Sequence, residues 1–184
     1  MQEHSVLCTG NPSKPGISRA LFNKFPTAKF IHLSNGYDLT SVEGQKKFES
    51  IIKNFDVFVN VSQLKNGAQE ELVKIAYQSG MQGYVFNIGS IAEYKRWHWY
   101  NAEYTEEKLS LRETSLDLCT EFFKTTHIVA GGFQDFTSQD PNRMDPEIIV
   151  QMISLILSID INVPIIGIEK IVDSELEKIL KKTE

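Results

Sequence analysis

Short apolar runs alternate with longer amphipathic stretches along this chain. Ser5 to Thr9, Lys29 to Leu33, Asp56 to Asn60, Gly83 to Ile88, Thr126 to Ala130 and Val163 to Ile168 read as strands. Helical stretches lie between them. Gly16 to Phe25 is the first. Ser41 to Asn54 is the second, opened by a Thr40-x-x-Glu43 capping box. Gly67 to Ser79 follows, then a long stretch from Asn101 to Lys124 with apolar positions Leu109, Leu116 and Phe123. Asp145-Pro146 supplies an N-cap and an N1 proline to a helix ending near Ile159. Ser174-x-x-Glu177 caps a short terminal helix whose Lys181 and Lys182 suit its C-terminal dipole end.

Strands that are apolar throughout are buried on both faces. Alternating with helices, they predict an α/β, Rossmann-like, doubly wound parallel sheet of about six strands. No repeat or linker divides the chain, so residues 1–184 read as a single domain. Ligands in such folds bind beyond the carboxyl ends of the strands. Gly10, Ser34, Asn60, Ser90 and Gly131 all fall at those ends.

Composition narrows the choice of partner. The 184 residues are 41% hydrophobic and 23% charged, which reads as soluble and globular. Net charge is −5, and no basic tract is interleaved with aromatics, which argues against nucleic acid. No apolar run approaches the roughly 20 residues of a membrane span. The start, Met1-Gln2-Glu3-His4, lacks a signal-peptide pattern. Cys8 and Cys119 sit in separate apolar segments and read as buried free thiols in a reducing compartment. The expected location is the cytoplasm. His4, His32, His98 and His127 have no metal-ligand spacing, so no metal is expected.

The candidate chemistry lies in three places. Tyr104 and Lys108 are i and i+4, and on a helix they share one face. An ammonium there favours the phenolate and lowers the phenol pKa from its reference of about 10, making it usable as a general acid or base. Ser90 precedes the same helix and can hold a substrate oxygen. The turn Thr9-Gly10-Asn11-Pro12-Ser13-Lys14-Pro15-Gly16-Ile17-Ser18 follows the first strand and opens a helix, as a phosphate site requires. It is not a Walker A loop, since Gly16 is followed by Ile17, and the simple Gly-x-Gly-x-x-Gly spelling is also absent. Tyr94 and Tyr100 are rival phenols, but Tyr100 would put Tyr104 where the lysine belongs.

Together these residues resemble the short-chain dehydrogenase/reductase family over most of the chain. Thr9, Gly10 and Gly16-Ile17 match its glycine turn. Asp38-Leu39-Thr40 matches the segment touching the adenine. Asp56 to Asn60 resembles the run into Asn-Asn-Ala-Gly, with Val61, Ser62 and Gln63 replacing its last three residues. Phe86 to Ser90 resembles the strand that delivers the serine, and Gly131-Gly132-Phe133 the segment closing over the nicotinamide. The glycine turn is two residues longer than usual, and Ser18 stands at its last glycine. That spacing is similar to the divergent enoyl reductases. Those place a tyrosine seven positions before the lysine, and Asn101 occupies that position here. The segments around Lys29 to Asp38 and Asn60 to Ser90 are short, as in a trimmed member with an open site.

The resemblance implies an NAD(P)-dependent oxidoreductase acting on a small-molecule carbonyl or alcohol. Tyr104 would be the acid/base, Lys108 the residue that lowers its pKa and binds the nicotinamide ribose, and Ser90 the residue that orients the substrate. Family members often add a catalytic asparagine on the preceding helix. Asn66 is the candidate, although Asn66-x-x-Gln69 also reads as a capping box. The cofactor contacts implied are Gly10, Asn11, Ser13, Lys14, Gly16, Ile17, Ser34, Asp38, Leu39, Asn60, Val61, Ser62, Tyr104, Lys108, Gly131, Gly132 and Phe133. Strand two ends without a carboxylate for the ribose hydroxyls, and Lys14 and Arg19 flank the glycine turn, so NADP is favoured over NAD. Trp97-His98-Trp99 can line the substrate pocket or a subunit contact, and a homodimer or homotetramer is expected. A non-catalytic dinucleotide-binding scaffold or sensor is the alternative. Nucleotide-sugar chemistry would need a larger substrate domain.

Overall fold

The computed structural model describes residues 4–94, 102–132 and 143–168. Its strands are β1 (Val6–Thr9), β2 (Lys29–Ile31), β3 (Val57–Asn60), β4 (Gly83–Ile88), β5 (Phe123–Ala130) and β6 (Ile165–Ile168). Its helices are α1 (Ile17–Lys24), α2 (Val42–Ile52), α3 (Ala68–Gln78), α4 (Ala102–Asp117) and α5 (Glu147–Ile159), with 3-10 turns at Leu33–Asn35 and Ile91–Glu93. All strand pairs are parallel, in the order β2-β1-β3-β4-β5-β6. This is the doubly wound Rossmann-like sheet that the alternation predicts. Because β1 pairs with both β2 and β3, the winding reverses there, and a crevice opens beyond the carboxyl ends of β1 and β3.

Strand pleating divides the core in two. Cys8, Val59, Phe86, Ile88 and Ile128 face one way and pack against Leu21 of α1 and Ile149, Val150 and Ile153 of α5. Leu7, Phe58, Val85 and Phe123 face the other way and pack against Phe48, Leu72 and Leu111 of α2, α3 and α4.

The structure moves several predicted boundaries. Strand β2 stops at Ile31 because Asn35 captures the backbone beyond it. Its Nδ2 donates to the Phe30 carbonyl at 2.8 Å, and its Oδ1 accepts from His32 N at 2.8 Å. Leu33 is therefore 73% exposed. The cap of α2 is Ser41, whose Oγ accepts from Gly44 N at 3.1 Å, and the Thr40 hydroxyl instead donates to Asp38 Oδ1. Pro146 stands at the N-cap of α5, and Asp145 Oδ1 accepts from Glu147 N at 2.9 Å.

The largest correction concerns α4. It ends at Asp117, and residues from Phe123 onward belong to β5, in register with β4 from Gly83↔Phe123 to Ile88↔Ile128. Its buried residues are Lys108, Leu111 and Ser115, not the predicted Leu109–Leu116–Phe123 stripe, and Leu116 is 38% exposed. The Trp97-His98-Trp99 cluster, Tyr100, Asn101, Phe133 and the terminal helix at Ser174 fall outside the described residues.

Gly44 tests the packing of α2. Replacing an interior helix glycine by alanine ordinarily stabilises by about 1 kcal/mol. A Cβ on Gly44 would overlap the Asp38 carbonyl oxygen. Gly44→Ala is therefore expected to destabilise by about 2 kcal/mol in urea titration. A gain in stability would contradict this packing.

Candidate active site

The glycine turn is built by local hydrogen bonds. Asn11 Oδ1 accepts from Ser13 N at 2.9 Å and from the Ser13 hydroxyl at 2.6 Å. Gly10 and Gly16 have φ of 110° and 124°, in the region that favours glycine. A Cβ on Gly10 would overlap the Ser18 hydroxyl, so turn and helix interlock there. Gly16 is the N-cap of α1 and makes no side-chain cap bond, and a Cβ on it would meet nothing within 4 Å. An uncapped helix start behind open glycine backbone is a donor set that fits a diphosphate. At the end of β1, the Thr9 hydroxyl accepts from Val61 N at 2.8 Å and Ser62 N at 2.9 Å, just past the neighbouring β3.

A cavity of about 780 Å³ lies beyond these strand ends. One wall comes from the glycine turn and α1, through Asn11, Lys14, Pro15, Ile17 and Ser18. Val61, Ser62 and Gln63 follow β3, and Ile88 to Ile91 end β4. Tyr104 and Lys108 come from α4, and Ala130, Gly131, Gly132 and Arg143 complete the wall. Lys14, Lys108 and Arg143 are the charged residues in that wall among the described residues.

Ser90, Tyr104 and Lys108 meet on this cavity. Ser90 is 7% exposed and caps the short turn after β4, its Oγ accepting from Ala92 N at 3.2 Å. Its hydroxyl hydrogen remains for a ligand oxygen. Lys108 Nζ stands 5.7 Å from the Tyr104 ring centroid. The ammonium donates to Gln69 Oε1 at 2.6 Å and to the Ile88 carbonyl at 2.9 Å, and the residue is 5% exposed. Burial lowers its pKa to about 8, opposed by the nearby Glu93 and Glu107 carboxylates.

Behind the cavity runs a buried polar network. Gln69 Nε2 donates to the Asn60 carbonyl at 2.8 Å, and Asn60 Nδ2 donates to the Gln69 carbonyl at 2.8 Å and to Asn87 Oδ1 at 3.0 Å. Asn87 Nδ2 donates to Ser115 Oγ at 2.5 Å. Glu93 lies beneath Ser90 and accepts from its backbone N–H at 2.7 Å. Its two oxygens are 3.0 and 3.1 Å from His127 Nε2, and Arg112 approaches to 3.7 Å. A Cβ on Gly89 would overlap both Glu93 and His127.

The remaining site candidates separate. Asn11, Lys14, Ile17, Val61, Ser62, Gly131 and Gly132 line the cavity, while Ser13 braces the turn. Gly16 and Arg19 line a smaller neighbouring cavity of about 200 Å³ with Asp145 and Glu147. Ser34 and Asp38 are exposed and outside the main wall. The Leu39 side chain, at 3% exposure, packs in the core. Asn60 is fully buried and bonded to backbone, so it belongs to the frame and not to the cavity lining.

Asn66 is neither the helix cap nor part of the wall. It has φ of 59°, the N-cap is Gly67, and Glu107 of α4 accepts from Gly67 N at 3.0 Å. Gln69, read as its capping partner, instead reaches Lys108. Sequence reasoning passed over Gln69, Glu93 and Arg143. The available signal was a glutamine in the first turn of α3, in phase with the buried Leu72, Val73 and Ala76.

No family model and no curated protein sequence matches this chain. Solved structures do. A short-chain dehydrogenase/reductase from Brucella melitensis superposes with a TM-score of 0.68 at 13% identity, covering 92% of this chain and 96% of that one. A blue fluorescent protein from a metagenomic library, in complex with NADPH, gives 0.72 at 12% identity, covering 90% and 96%. The 3-alpha-hydroxysteroid dehydrogenase from Pseudomonas sp. B-0831, complexed with NADH, gives 0.65 at 12% identity, covering 98% and 100%. The chain has the fold of the short-chain dehydrogenases/reductases.

The buried ammonium has a measurable cost. Its pKa falls from 10.5 in the unfolded chain to about 8, so the unfolded chain binds the extra proton between those values. The penalty is complete below pH 8 and is relieved as pH rises towards 10.5. The stability difference between the native protein and Lys108→Met should therefore change by about 3 kcal/mol across that window, in favour of the native protein at high pH. Urea titrations of both proteins from pH 7.5 upward measure it; a constant difference would mean that Lys108 titrates normally.

Proposed function

We propose that this protein is an NAD(P)-dependent oxidoreductase that moves hydride between a nicotinamide and the carbonyl or alcohol carbon of a small molecule. The observation that carries this reading is the meeting of Ser90, Tyr104 and Lys108 on one cavity that runs to the uncapped start of α1. The solved structures with this fold that hold NADPH or NADH support it. The nicotinamide supplies the hydride chemistry, and the protein supplies binding, orientation and charge.

Each residue has a physical task. The α1 N-terminus binds the diphosphate, and Lys14 meets the 2′-phosphate of NADP. Asn11, Ile17, Val61, Ser62, Gly131 and Gly132 shape the remaining cofactor wall, and Ser34 and Asp38 lie on the adenosine side. Ser90 donates its hydroxyl to the substrate oxygen. Tyr104 gives that oxygen a proton in reduction and removes it in oxidation. Lys108 favours the phenolate through its charge and offers an N–H to the cofactor ribose. NADP is favoured over NAD because β2 ends without a carboxylate and Lys14 of the glycine turn lines the cavity; Arg19 lies outside the main cavity.

Fluorescence titration should give saturable binding of NADPH, and Lys14→Ala should weaken it by roughly tenfold while leaving NADH nearly unchanged. In a screen of carbonyl compounds, Tyr104→Phe should lower turnover by roughly 10²–10⁴-fold with coenzyme affinity within about threefold of native. Absence of binding to either coenzyme at millimolar concentration, or full turnover in Tyr104→Phe, would overturn the reading.

A further inference from the structure

We propose that Gln69 is a positioning residue of this site: with the Ile88 carbonyl it occupies two of the three N–H groups of the Lys108 ammonium and aims the third into the cavity. The proposal rests on the reading of Lys108 as the lysine of the active site. Its support is geometric. Gln69 is 5% exposed and lies in the first turn of α3, against the carboxyl ends of β3 and β4. Its Oε1 accepts from Lys108 Nζ at 2.6 Å, and its Nε2 donates to the Asn60 carbonyl at 2.8 Å and the Ile88 carbonyl at 3.3 Å.

These partners fix the amide orientation. Nε2 faces two acceptors, so Oε1 is turned towards the ammonium; the flipped amide would set N–H against N–H and oxygen against two carbonyl oxygens. The Ile88 carbonyl also accepts from Lys108 at 2.9 Å and so joins the same clamp. An ammonium has three donors and no acceptor. With two spent on protein, one remains for the phenol and the ribose, and its direction is set by the other two. Asn60 and Asn87 hold Gln69 in turn, through the Asn60 bond to the Gln69 carbonyl.

The side-chain chemistry is selective. A shorter asparagine would not reach from the α3 backbone to the same point. A glutamate would place a carboxylate oxygen against the carbonyls of Asn60 and Ile88 and add a charge beside the ammonium. Among the described residues, the charged or titratable groups that face Lys108 are Glu93 from the turn after β4, and Glu107 and Tyr104 from its own helix. A neutral amide orients the ammonium without holding its proton as firmly as a carboxylate would.

The test follows the Lys108 titration directly, by carbon-13 NMR of ε-labelled lysine in the full chain without coenzyme. The Lys108 signal is the one lost in Lys108→Met. In Gln69→Glu the titration should rise by about one pH unit or more, and in Gln69→Met it should fall by about half a unit. NADPH affinity should weaken roughly fivefold in Gln69→Met, and the alkaline limb of the turnover profile should move with the NMR titration in both variants. If Gln69→Met fails to fold, Gln69→Glu, which keeps length and acceptor, decides the matter alone. A Lys108 titration unmoved in the folded variants overturns the proposal. Shifted titrations in a protein whose native form binds no coenzyme would overturn the active-site reading, and the positioning role with it, while leaving the Gln69–Lys108 coupling in place.

Discussion

An ammonium withdrawn from water dictates much of this architecture. Lys108 is nearly inaccessible, so it needs acceptors on protein. One comes from the last residue of β4 and the other from the first turn of α3. Both elements must therefore close on α4 at the carboxyl edge of the sheet. The contacts between the two helices follow the same requirement. Glu107 of α4 caps α3 at Gly67, and Glu70 of α3 accepts from the Ser110 and Thr114 hydroxyls of α4 at 2.6 and 2.9 Å. Lys74 approaches the same carboxylate, and these partners together hold its pKa below the usual carboxylate range against the effect of burial.

The polar row behind the cavity serves as a register lock. Asn60 pairs with Asn87 across β3 and β4, and Asn87 pairs with His127 across β4 and β5. A slip of one residue would turn each of these side chains to the opposite face of the sheet. It would then strand buried amides among Phe86, Ile128 and Ile153. The network thus makes one strand alignment much better than its neighbours, where apolar strands alone would discriminate weakly. Asn60 Oδ1 and His127 Nδ1 are the buried side-chain atoms without a partner among the described residues, and both border this row.

Much of the fold was legible because buried parallel strands are apolar on both faces, and that property survives in single residues such as Val57, Val85 and Ile128. The gathering of Ser90, Tyr104 and Lys108 on one cavity was also legible, since helical spacing and strand ends are short-range features. The failures have a common cause. Helix α4 buries Lys108 and Ser115 for polar work, so its inward face carried little apolar signal, and Leu109 and Leu116 drew attention to the wrong side. Asn66 looked like a cap because cap residues are recognised by type; the cap arrives instead from Glu107, 40 residues away. Gln69 was hidden for the same reason, as its partner lies 39 residues along the chain.

One hydroxyl has a mechanical role at the crevice. Thr9 ends β1 and holds two successive backbone N–H groups of the segment leaving β3. The two lips of the switch point are thereby stapled at their base, and neither can hinge away from the other without giving up two hydrogen bonds. The spacing between the ends of β1 and β3, and with it the width of the crevice at its floor, is therefore set by one side chain.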